Sequence, residues 1–97
     1  MQVLRLDQFA GRLNETFNVD MEHGRVAFVL VEARPLPHRP VPGLAREPFS
    51  LLFRNEAAIV FPQRIYSMQN SLMGEFGIFL VPVARDRDGF LYQAVFN

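Results

Sequence analysis

The sequence predicts an all-β domain: a small antiparallel barrel of six or seven strands with a short N-terminal helix. Three observations predict it. Short segments rich in Val, Ile, Leu and Phe recur about every ten residues, punctuated by Gly, Pro, Asn and Asp. Two of these segments, Val26-Ala27-Phe28-Val29-Leu30-Val31 and Ile78-Phe79-Leu80-Val81-Pro82-Val83, are apolar on both faces. One segment alone has helical spacing. A chain of 97 residues makes a single domain, residues 1–97. It is too short for two full sheets each apolar on both sides, which favours a barrel over a sandwich.

The elements follow in order. Leu6, Phe9, Ala10 and Leu13 fall at i, i+3, i+4 and i+7, and Asp7 suits an N-cap for a helix over residues 8–13. So short a helix cannot stand alone, and should plug one end of the barrel or cover an edge. Phe17, Val19 and Met21 alternate with Asn18, Asp20 and Glu22, the pattern of a half-buried strand. His23-Gly24 supplies a hairpin turn, because Gly tolerates positive φ. The next strand covers residues 25–34.

Five of the seven prolines then fall within residues 35–48. Proline removes backbone donors, so this stretch is a long extended connection rather than a central strand. Residues 34–46 carry Arg34, Arg39, Arg46 and His38 and no acid. Phe49, Leu51 and Phe53 share one face of the next strand. Residues 57–61 read equally as a short strand or an extended crossover. Strands over residues 65–68 and 75–83 follow, and Pro82 marks an edge or bulge in the second. Asp86-Arg87-Asp88-Gly89 closes a hairpin onto a last strand, 90–96, with Tyr92, Ala94 and Phe96 on one face.

Composition narrows the function. Ten basic residues balance ten acidic ones, so the basic excess typical of nucleic-acid binding is missing. Every base is Arg, which fits GC-rich coding as well as a preference for bidentate pairing at interfaces. Cysteine is absent, and no apolar run approaches the length of a membrane helix. The N-terminus lacks a signal-peptide core, so no membrane role and a cytoplasmic location are expected. Ten Phe, two Tyr and no Trp favour packing over hydrogen-bonded ligand recognition.

The C-terminal half resembles a family of uncharacterised bacterial domains of about this length. Phe49-Ser50-Leu51-Leu52-Phe53-Arg54, Pro62-Gln63 with Tyr66, Gly74-Glu75 leading into Phe79-Leu80-Val81-Pro82-Val83, and Ala94-Val95-Phe96-Asn97 carry the resemblance. Leu6-Asp7-Gln8-Phe9 is similar to the Leu-x-x-Phe segment with which members begin. Asn55 after Arg54, and Arg64-Ile65, depart from the Gly and Gly-Thr of the pattern, which puts loop geometry in question rather than fold. The resemblance implies no catalytic residues. Members are encoded near phage-tail-collar-like, microcystin-dependent-type proteins, which implies a tail-fibre accessory or assembly role.

Candidate chemistry is sparse. His23 and His38 are too few for a metal centre without convergent carboxylates. Ser50, Ser67 and Ser71 lack a nucleophile-elbow context, and no phosphate-binding glycine loop is present. No cofactor and no enzymatic activity are expected. Pro37-His38-Arg39-Pro40 fits a short PxxP pattern, a weak signal in so proline-rich a stretch. The expected function is therefore a non-enzymatic structural or adaptor protein that binds a protein partner or a second copy of itself. Its expected contact residues are Arg34, His38, Arg39 and Arg46 of the Pro-rich arm and Phe79 and Val81 of the doubly apolar strand. The alternatives are a small-ligand-binding barrel, with Tyr66 and Tyr92 at the ligand, and an enzyme at the barrel mouth.

Overall fold

A computed structural model describes residues 3–22, 24–37, 43 and 46–97. The elements are α1 (Leu6–Ala10), β1 (Thr16–Met21), β2 (Gly24–Pro35), β3 (Phe49–Asn55), β4 (Arg64–Asn70), β5 (Gly74–Asp86) and β6 (Gly89–Phe96). The strands close an antiparallel barrel in the order β1-β2-β3-β6-β5-β4. Two consecutive three-strand meanders are thus joined edge to edge, β3 to β6 and β1 to β4.

The long strands β2 and β5 turn the corners. The first half of β2 pairs with β1 and its second half with β3. Likewise β5 pairs first with β4 and then with β6. Each bends at a bulge, between Leu30 and Glu32 in β2 and between Pro82 and Ala84 in β5. An extra residue increases local twist and lets one strand serve two sheets. The bulge expected at Pro82 is there.

Alternation decides which side chains fill the barrel. Phe17, Val19, Phe28, Leu30, Phe49, Leu51, Phe53, Tyr66, Met68, Phe76, Ile78, Leu80, Tyr92 and Ala94 point inward and are buried. The expected inward faces of β3 and β6 are therefore correct, although Phe96 is only half-buried. Phe9 of α1 plugs one end, its ring 5.9 to 6.3 Å from those of Phe17, Phe49, Phe76 and Phe96.

Several expected boundaries shift. The helix starts earlier, because the Gln8 side chain accepts the Arg5 backbone N–H at 2.7 Å and fixes the first turn there. It stops at Gly11, and Leu13 lies exposed beyond it. Met21 pairs with Gly24, and Gly24 with φ 136° opens the next strand rather than lying in the turn. His23 lies outside the described residues. Residues 57–61 form no strand; they are the crossover between β3 and β4. Pro35 belongs to β2, opposite Phe49. The Leu36 N–H donates to the Pro48 carbonyl at 3.0 Å, closing the base of the Pro-rich connection.

Candidate functional site

The two doubly apolar strands meet different fates. On β2 the inward side chains are buried, while outward Ala27 is exposed and Val29 and Val31 are half-buried. Ala27 and Val29 line a recess with Arg54, Asn55, Glu56 and Ala57 at the start of the crossover. The Asn55 Nδ2 donates to the Ala27 carbonyl at 2.8 Å, joining β3 to the edge of β2 beyond their last ladder pair, Val29 with Arg54. The Phe61 N–H donates to the Tyr92 hydroxyl at 2.9 Å, and the Tyr66 hydroxyl donates to the Pro62 carbonyl, so the crossover is pinned at both ends.

On β5 the outward side presents larger apolar side chains to solvent. Phe79 is 49% exposed and Val83 48%, with Ile65 at 72% on β4 and Val95 at 49% on β6. Register explains the grouping. Ile65 pairs directly with Phe79, so both project outward from neighbouring strands. Val81 pairs with Gln93, so the outward row of β5 continues onto β6, where Val95 lies two residues further along. The bulge leaves Val83 and Ala84 adjacent on the outer side. Covering side chains of this size and exposure is worth about 1 kcal/mol each, so the four together offer about 4 kcal/mol to an interface. That only matches the low end of the cost of association, so polar or backbone contacts must add to it.

The expected contact residues separate. Phe79 and Val81 lie on this outer surface, Val81 half-buried. Arg34 shares its outward row, because Arg34 pairs with Ser50 and Ser50 with Val95. The Arg34 guanidinium is ion-paired with Glu32. Arg46 is not a free cation of an arm. It is fixed to the plugged end, over the Phe96 ring at 5.2 Å and the Phe49 ring at 5.9 Å, and its Nη1 donates to the Leu4 carbonyl at 3.0 Å. His38 and Arg39 lie outside the described residues. Ile65, Val83 and Val95, exposed on the same outer surface, were not among the expected residues. Alternation within Ile65-Tyr66-Ser67-Met68 and Ala94-Val95-Phe96 could have found two of them.

Other chemistry is structural. Arg54 donates to the Asp86 carboxylate at 2.9 Å, and this hydrogen bond, with the Asp88 N–H at 2.9 Å, holds Asp86 below the usual carboxylate range. Burial pushes the Tyr92 phenol up. Among the described residues no three metal-ligating side chains converge, and no helix is long and apolar enough to cross a membrane. The barrel interior is filled by packed rings. The clefts are external, one of them between α1 and the Pro-rich connection, lined by Arg5, Leu6, Asp7, Ala10, Pro35 and Arg46.

The model of a family described as a domain of unknown function, DUF6916, matches residues 4–96. No curated protein and no solved structure matches the chain.

Proposed function

We propose, on the premise that the chain belongs to the DUF6916 family, that it is a non-enzymatic structural or adaptor barrel that docks on another protein through the outer face of β4, β5 and β6. The supporting observation is the apolar group Ile65, Phe79, Val83 and Val95, exposed on the neighbouring strands β4, β5 and β6. Exposed apolar side chains gathered on one surface favour protein interaction over solvation. The proposed partner is a β-rich protein of the phage-tail-collar type, with this chain as its cytoplasmic assembly or accessory factor. The packed interior favours this over a ligand-binding barrel, since six strands enclose side chains and leave little room.

Co-expression with the proteins encoded beside it tests the proposal. The expected result is a stable complex with the tail-collar-like protein that is lost in the double variant Ile65→Asp/Phe79→Asp. Both side chains are outward, so the variant keeps its fold. A complex indifferent to these substitutions, or none with any neighbour, refutes the reading.

A further inference from the structure

We propose that the N-terminal half of β5 is a strand-addition edge that pairs antiparallel with the same edge of a second copy, about a two-fold axis at Gly77. The inference rests on the docking role of this surface and names its first occupant. Beyond Val81 and Gln93, β5 and β6 part, and residues 94–96 pair with β3 alone. The side of residues 74–80 turned away from β4 then has no ladder. No side chain or loop among the described residues hydrogen-bonds there, either.

The corresponding edges of β2 are occupied. Asn55 reaches Ala27 on the first half. On the second half the Leu30 N–H donates to Glu15, and the Leu30 carbonyl accepts from Asn14. Natural sheets protect free edges with charge, proline or a bulge. Gly74-Glu75-Phe76-Gly77-Ile78-Phe79-Leu80 has one charge and no proline, and its bulge comes only after Pro82.

A second copy fits this edge. An isologous pair centred on Gly77 uses the open edge of all seven residues and sets Gly74 opposite Leu80 and Glu75 opposite Phe79. The two Glu75 carboxylates then stand four residues apart along the strands, about 13 Å, beyond the Debye length at physiological salt. Zero net charge removes long-range repulsion between copies. A standard interface takes about 800 Å² per partner, about an eighth of this chain's 6398 Å². A paired edge about 23 Å long, with Phe79 exposed on its outer side, reaches only part of that and makes a weak dimer.

The chain has no cysteine, so Gly77→Cys gives a single readable product. A Cβ there meets only the Ile65 Cγ2, at 3.6 Å, so the substitution fits the fold. Directly opposed Cα atoms in an antiparallel pair stand about 4.5–5.5 Å apart, within disulfide range. Light scattering should show the wild-type mass doubling at high micromolar concentration, and Phe79→Asp should abolish the doubling. Mild oxidation should convert Gly77→Cys, but not Ser71→Cys, to a disulfide dimer. A wild type that stays monomeric, or a dimer that does not cross-link at Gly77, overturns the inference. A monomer that still binds the tail-type partner overturns the inference while sparing the proposed function.

Discussion

Individual residues carry the tightest constraints. Gly89 opens β6 with φ 144°, and a Cβ there would stand 2.1 Å from the Asn55 carbonyl oxygen. Both contact and conformation exclude a side chain. Gly89→Ala should therefore cost several times the usual ~1 kcal/mol of a point change, seen as a lower urea midpoint. Phe53→Ala should cost about 3–5 kcal/mol, because Phe53 is fully buried against the Phe17 ring at 5.5 Å. Phe96→Ala should cost less, since Phe96 is half-buried, although it stacks on Phe49 at 4.6 Å. Burial raises the Tyr92 pKa, so its contribution is complete below about pH 10 and falls as pH rises through the higher folded value. Asp86 has the opposite sign: its contribution is present above about pH 4 and is lost as pH falls through its lowered folded value. Thermal melts should decline at both ends, and Asp86→Asn should flatten the acid limb only. The inward residues of β3 and β6 were legible because alternation alone sets a strand's faces. The roles of Arg46 and Asn55 were not, because their partners Leu4 and Ala27 are far away in sequence.

Among the elements, the seam between β1 and β4 is the weakest closure. It has two residue pairs, Asn18 with Gln69 and Val19 with Met68. Side chains complete it. The Asn70 Nδ2 donates to the Thr16 carbonyl at 3.2 Å and to Glu15 at 3.3 Å, while its Oδ1 accepts from the Leu72 and Met73 N–H groups. Gln69 donates to Asp20 at 2.9 Å. Asn70→Ala removes the clasp and the turn together and should cost about 2–3 kcal/mol. Amide exchange should then speed up in β1 and β4 before the β3–β6 ladder, which pairs seven residues. Strand existence was legible in the sequence, but strand bending was not. An apolar run through Val31 or Val83 reads as one straight, doubly buried strand, whereas the bulge turns part of it into a corner. The seventh strand candidate failed for a local reason: Asn55 turns its side chain back to bond Ala27 and the Ala57 N–H, which directs the chain across the strand.

At the scale of the whole molecule, two similar meanders are finished differently. The crossover after β3 returns Phe61 to the inward rings of Phe28 and Tyr92, whereas the outer side of β5 leaves Phe79 and Val83 exposed. The sequence announced two surfaces needing cover. It did not show that the crossover returns to the core, because that depends on Phe61 meeting Phe28 and Tyr92 in space. Hydrogen–deuterium exchange compared between the isolated chain and the chain co-expressed with the proposed tail-collar-like partner tests the docking surface most directly. The account predicts slowed exchange confined to residues 64–67, 75–83 and 93–96, with the α1 end unchanged. Protection instead at α1 and the base of the Pro-rich connection, or no protection on β5, would contradict it.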